Sequence, residues 1–291
     1  MILSASYKTD IPAFYSEWFR SRLRMGLCES KNPFNGKISQ ISLDAEEIDA
    51  IVFWTRNIHP LLDYLDEIRA QAPFSVQFTI TNYPRALETS TIACENAVSD
   101  LRKLANLYGP KAVVWRYDPI LFSTLTPAEW HQKNFAKLAR DMAGAVDEVV
   151  VSFAHIYRKT KRNLDQAAEF HEFHWIDPDG IEKEALLENL RDIADLNGIR
   201  LTICAQKEYL VPGVDLARCI DAERLSEIAG APIVAPKQGN RPDCLCHKAR
   251  DIGAYDSCPH GCRYCYAVNN HTAAKANYRD HQPEFAMLGK H

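Results

Sequence analysis

The chain has no run of about 18 uninterrupted apolar residues, so nothing in it reads as a membrane-spanning helix. It also lacks an excess of positive charge. Its 34 Lys and Arg face 38 Asp and Glu for a net charge of -4, which removes nucleic-acid binding through a bulk positive field and leaves that class only a local basic groove. The opening residues MILSASYKTDIP have no charged segment leading into a long apolar one, and the resulting expectation is a soluble, unexported, cytoplasmic protein. No Walker loop, no G-x-G-x-x-G after a strand and no G-x-S-x-G elbow occurs, so ATP hydrolysis, nicotinamide hydride transfer and serine hydrolysis lack their usual machinery. His171-Glu-Phe-His174 misses the i,i+4 histidine spacing of a metalloprotease helix. Internal repeats, low-complexity tracts and heptads are likewise missing.

What is present is a chain of 291 residues, 46% hydrophobic, long enough for one large core or two modest ones. Short runs of β-branched and aromatic residues alternate with segments of helical period, the pattern of parallel β/α architecture. The predicted strands are 2–6, 50–55, 75–81, 112–117, 148–153 and 200–204, with a weaker seventh at 231–235. Thr126-Pro127-Ala128-Glu129 reads as a helix start with a capping box. The expected fold is α/β, a partial or distorted TIM-like barrel of six to seven parallel strands spanning 1–236. A cysteine-rich segment, 237–291, would pack on its mouth.

In such folds reactive groups gather at the carboxyl ends of the strands. Gln77, Thr79 and Thr81 alternate with Val76, Phe78 and Ile80, so the polar set should line the inside. Lys8, Asp10, Arg56, Arg116, Asp118, His155 and Gln206 close other strands. Arg116 and Asp118 read equally well as an ion pair at a strand end.

The nine cysteines are unevenly spread, and five of them fall between 244 and 265. Cys258, Cys262 and Cys265 have the spacing C-x-x-x-C-x-x-C. Three thiolates on one loop can hold three irons of a [4Fe-4S] cluster and leave the fourth iron open. S-adenosylmethionine is the known occupant of such an open iron, where its reductive cleavage gives a 5'-deoxyadenosyl radical. Zinc is the alternative, since Cys244, Cys246, His247 and His260 lie nearby.

The segment Asp256-Ser-Cys-Pro-His-Gly-Cys-Arg-Tyr-Cys-Tyr-Ala267 resembles the cluster loop of the spore photoproduct lyase branch of radical S-adenosylmethionine enzymes. Over nearly its whole length the chain is similar to the domain-of-unknown-function family numbered 1848. The similarity runs from Ser4–Pro12 through Asn32-Pro33-Phe34-Asn35, Phe53–Asn57 and Trp115–Pro119 to Asp251–Tyr255. This resemblance implies a radical enzyme of unsettled substrate, served by an external one-electron reductant of flavodoxin or ferredoxin type, and it hints at a nucleic acid substrate. It implies that Tyr264 packs on the adenine of the cofactor. The usual order is permuted: the loop after the first strand holds no cysteine, so the C-terminal segment must fold back over the strand ends. No Gly-Gly-Glu segment is found for the cofactor's amino group. Thr79, Thr81, Asn82 and Arg116 are candidates to bind the cofactor by strand position.

Cys204, Cys219, Cys244 and Cys246 form a possible second metal site, iron-sulfur or zinc, against the reading of Cys204 and Cys219 as small buried apolar residues. Cys28 and Cys94 read as structural. The competing function is a metal-binding module, zinc or iron-sulfur, on a barrel scaffold without radical chemistry.

Overall fold

The computed structural model describes residues 1–33 and 35–289; Phe34, part of one of the family-like segments, lies outside them. Eight strands form one all-parallel sheet: β1 (Ile2–Ala5), β2 (Ala50–Thr55), β3 (Phe74–Thr79), β4 (Val113–Ile120), β5 (Glu148–Phe153), β6 (Arg200–Ile203), β7 (Asp215–Leu216) and β8 (Ala249–Asp251). Their order across the sheet is β7-β6-β5-β4-β3-β2-β1-β8. The chain thus steps steadily to one edge and then returns to add a last strand beside the first.

The helices are α1 (Ile11–Phe14), α2 (Ser16–Met25), α3 (Leu65–Gln71), α4 (Cys94–Tyr108), α5 (Ala128–Met142), α6 (Arg158–His171), α7 (Gly180–Leu196), α8 (Ala222–Ala229) and α9 (His271–Arg279). An antiparallel hairpin, Leu27–Lys31 with Ile38–Ser42, lies between β1 and β2.

Alternation along the strands explains the layers, because successive side chains point to opposite faces. Leu3, Phe53, Val76, Phe78, Trp115, Val149 and Leu201 join one buried cluster with Phe19, Leu101, Leu104, Phe135, Leu187 and Leu190 of the helices. The opposite face carries Ile2, Val52, Val114 and Val150, which cluster with Ala217, Ile220, Leu225 and Cys246. Helices therefore cover one face, and the chain from 217 to 249 covers the other.

The parallel β/α architecture is as the alternation predicts; the strand count and the closure are not. The parallel sheet has eight strands rather than six or seven, and β7 and β8 remain its open edges. Single bonds such as His247 N–H to Ile220 O, at 2.9 Å, cross the gap. The segment 231–235 is not a strand. Pro232 lacks the N–H a ladder needs, and Val234 is 88% exposed. The helix at Thr126 begins as expected, yet the capping box does not form: Pro127 is the N-cap, and the Thr126 hydroxyl donates to Leu121 O at 2.7 Å.

Candidate functional site

The loop bearing Cys258, Cys262 and Cys265 lies across the carboxyl ends of β1 to β3. Asp10, at the start of α1, organises this contact. Its Oδ1 accepts from Ala13 N–H at 3.0 Å and from the Thr55 hydroxyl at 2.6 Å. Its Oδ2 accepts from Arg56 N–H and from His260 Nε2, both at 2.7 Å. Nearby, the Tyr15 hydroxyl donates to Ser257 O at 2.6 Å, and Thr9 Oγ1 lies 2.6 Å from Ser257 Oγ.

The far side of the loop is stitched to the segment after β3. Ser90 N–H donates to His260 O at 2.9 Å, Arg263 N–H to Leu87 O at 2.9 Å and the Thr89 hydroxyl to Gly261 O at 3.1 Å. Gly261 turns the loop with φ of +76°, a conformation that side chains disfavour. The sequence places the C-terminal segment over Lys8, Arg56, Thr81, Arg116 and His155; Arg56 meets Tyr264 of the loop and Lys8 Nζ donates to Gly253 O at 3.3 Å, whereas Arg116 is turned to Cys219.

Beneath the cysteines lies a buried polar network. Arg56 Nη1 meets Glu88 Oε1 at 2.8 Å, Thr81 donates to the same oxygen at 2.6 Å, and Arg56 Nη2 donates to the Tyr264 hydroxyl at 2.6 Å. Tyr264 in turn donates to Glu88, and its ring stands edge-on to Tyr83 at 5.8 Å. The side chain is only 7% exposed. Tyr264 is thus occupied in fixing the loop to the strand ends.

All three cysteines are free thiols, Cys262 buried and the other two half-buried. Burial, with Asp10 and Cys265 adding, pushes the Cys258 thiol up to about 12. Burial also holds Cys262 well above the ordinary thiol range, against the pull of Arg56, and raises Cys265. Cys262 feels the charge of both other sulfurs, so the three share one electrostatic neighbourhood. Thiolates here need a bound cation to offset the cost of desolvation.

Among the described residues no three His, Cys, Asp or Glu side chains converge as ligands of one metal ion. Two polar atoms of the loop, His260 Nδ1 and Arg263 Nε, are buried without a partner, which fits a loop shaped around a group that the chain itself does not supply.

Of the residues predicted to bind the cofactor, Thr79, Thr81 and Asn82 line one cavity of about 240 Å³ beside the loop, together with Arg56, Arg85 and Glu88. Arg116 is elsewhere. Its guanidinium, 4% exposed, donates to Gln77 Oε1 at 3.2 Å and Cys219 Sγ at 2.9 Å, pairs with Asp118 and lies over the Trp54 ring at 5.0 Å. It faces the inner side of the sheet and a second group of thiols. There Cys219 Sγ is 3.7 Å from Cys204 Sγ, with Cys246 buried in the same cluster and Cys244 packed against it. The interaction with Cys246 draws the Cys244 thiol down to about 6. Cys28 and Cys94 stand apart and buried in the helix-covered core, as expected of packing residues.

Sequence reasoning missed Glu88 and Asp251. Glu88 sits in a loop without periodicity, so no pattern marks it. Asp251 carried a signal in the segment Asp251–Tyr255. It accepts from the Ser4 and Ser6 hydroxyls at 2.9 Å and pairs with Lys8 Nζ at 3.1 Å, which locks β8 to β1.

Among the described residues no helix is long and apolar enough to cross a membrane. Residues 2–267 match the family described as Domain of unknown function (DUF1848). No curated protein matches the chain.

Proposed function

The chain belongs to that family, whose description names no activity; taking this membership as the premise and reading the function from the site, we propose that the protein is a radical S-adenosylmethionine enzyme. The observation that carries the proposal is the set of three free thiols in C-x-x-x-C-x-x-C spacing, held on one loop at the strand ends. Cys258, Cys262 and Cys265 would hold a [4Fe-4S] cluster with one open iron. When bound, the cluster would pass an electron to the sulfonium cofactor chelated there, releasing a carbon radical able to take hydrogen from a substrate.

The chain's own contributions follow from its contacts. Asp10 and His260 hold the first half of the loop on β1 and β2. Tyr264 and the Arg56–Glu88 pair hold the second half. The Arg56 guanidinium lowers the cost of negative charge on Cys262. Thr79, Thr81 and Asn82 offer polar atoms for the cofactor from a cavity below the size usual for small-molecule sites, about 300–1,000 Å³. An external one-electron reductant of flavodoxin or ferredoxin type would serve the cluster. The substrate class is open; the net charge of -4 gives nucleic acid no general electrostatic support.

The test is anaerobic reconstitution followed by reduction in the presence of S-adenosylmethionine. The expected result is iron and sulfide at cube stoichiometry, formation of 5'-deoxyadenosine, and loss of both in C262A. Zinc in place of iron on these three cysteines would overturn the reading in favour of a metal-binding module. A cluster that never cleaves the cofactor would overturn the radical chemistry.

A further inference from the structure

Four of the six cysteines outside the loop come from distant parts of the chain and meet on the inner face of the sheet. Cys204 follows β6, Cys219 lies just past β7, and Cys244 and Cys246 flank Leu245 in the segment that leads to β8. Cys219 and Cys204 are 3.7 Å apart at sulfur. Cys246 is buried in the same cluster as Cys204 and Cys219, with Cys244 packed against it, and Ile220 N–H donates to Cys246 Sγ at 3.4 Å.

Two guanidinium groups aim at the same sulfurs. Arg116 reaches Cys219 Sγ at 2.9 Å, and Arg241 reaches Cys204 Sγ at 3.4 Å. A neutral thiol is a weak acceptor, so two cationic donors directed at sulfur, the Arg116 one buried, suit a site that carries thiolate charge.

The segment bearing Cys244 and Cys246 is built as a tight turn with few apolar anchors. Lys237 pairs with His247, Gln238 N–H donates to Cys246 O at 2.9 Å and Cys244 N–H to Arg241 O at 3.2 Å. A Cβ on Gly239 would overlap Cys244 O and lie 2.7 Å from Cys244 Cβ, so the turn closes back on the cysteine backbone. Residues Pro236–Pro242 are exposed, and the part of the turn that enters the body of the protein is the sulfur group itself with His247.

We propose that Cys204, Cys219, Cys244 and Cys246 form a structural zinc site that pins the turn over residues 237–247 to the inner face of the sheet. Tetrahedral zinc with bonds of about 2.3 Å sets neighbouring sulfurs about 3.8 Å apart, which is the spacing of Cys204 and Cys219. A cube would instead spread the sulfurs over separate irons. As thiols the four pack in one cluster without converging on a point. One divalent ion displacing the thiol protons draws the four sulfurs into a tetrahedron.

The site is independent of the three-cysteine loop, and the experiment separates them. Metal content is measured by mass spectrometry on the full chain, on the C258A/C262A/C265A variant and on C204S/C246S. One zinc per chain in the first two and none in the third is the expected result. Zinc absent from the full chain, or retained by C204S/C246S, would overturn the proposal, as would iron and sulfide bound by these four cysteines. Should C204S/C246S fail to fold, the half-buried C244S variant is used with cobalt in place of zinc. Strong thiolate-to-cobalt absorption in the parent, reduced in C244S with an unchanged far-ultraviolet spectrum, supports the site, and equal absorption in both overturns it.

Discussion

His260 Nε2 donates to Asp10 Oδ2 at 2.7 Å, joining the cysteine loop near the C-terminus to the first helical turn after β1. The two side chains are 250 residues apart in sequence and both are buried. Asp10 also accepts from Thr55, Arg56 and Ala13, so its removal strands several donors at once. Each buried donor left unpaired costs about 1–3 kcal/mol. D10A is therefore expected to lose about 3 kcal/mol or more and to retain little iron after reconstitution. H260A, which leaves Asp10 Oδ2 with Arg56 N–H as its donor, should lose less stability but a comparable share of iron. Urea denaturation and iron analysis check both, and wild-type iron content in the two variants would remove the pair from any role in holding the loop.

Arg56 and Glu88 form a second buried clamp beneath the same loop, with side chains 12% and 3% exposed. Removing one member of such a pair leaves a charge without its counterion, at about 3–5 kcal/mol. E88Q and R56M should each fall in that range, whereas R56M/E88M should be much less destabilised than the sum of the two. A double-mutant cycle in urea measures the coupling. Additive single effects would mean that the two charges do not depend on each other.

The sequence made some of this legible and hid the rest for physical reasons. Strands β2 and β5 coincide with their predicted ranges, because buried parallel strands are continuous apolar runs. β7 is only Asp215–Leu216 and β8 only Ala249–Asp251. Neither has an apolar period, and both are defined by pairing with a neighbour. The three-cysteine spacing was visible as a local pattern. The second sulfur group was visible only as four residues, since a fold has to bring Cys204 to Cys246. Arg116 reads as a polar residue near a strand end, and alternation puts it on the same face as Gln77 and its register partner Thr79; its bonds to Gln77, Cys219 and Asp118, which no local pattern announces, keep its guanidinium out of the cavity lined by Thr79, Thr81 and Asn82.

Gly253 follows β8 where the chain passes over the end of β1. A Cβ there would overlap Ser6 Oγ and lie 2.7 Å from Ser6 Cβ and 3.0 Å from Thr9 Oγ1. Ser6 cannot swing aside freely, because its hydroxyl donates to Asp251 at 2.9 Å and accepts from Lys8 N–H at 3.0 Å. G253A is expected to cost about 1–3 kcal/mol through overpacking, read as a lower urea midpoint at unchanged slope. A wild-type midpoint would show that β1 and β8 are less closely joined than these contacts require.

His131 sets a pH dependence of stability that owes nothing to the cysteines. It is fully buried, accepts from the Tyr117 hydroxyl at Nδ1, 2.9 Å away, and donates from Nε2 to Leu121 O at 3.1 Å. Burial pulls it down to about 4, against the opposing pull of the Leu121 carbonyl. The unfolded chain, with an ordinary histidine value of about 6.5, binds a proton between pH 4 and 6.5 that the folded chain refuses. Stability from this group is thus complete above pH 6.5 and is lost as the pH falls toward 4, by about 3 kcal/mol in all. His271 is pulled down to about 4 in the same way, by burial first and then by Arg263 and Lys275, and acts in the same window. In H131Q the amide can reproduce both hydrogen bonds without titrating. Unfolding free energies from urea curves between pH 4.5 and 7.5 should show a slope lower by the equivalent of about one proton in H131Q, with the His271 contribution left in place. An unchanged slope would mean that His131 is protonated in the folded protein and that the Tyr117 hydroxyl bonds elsewhere.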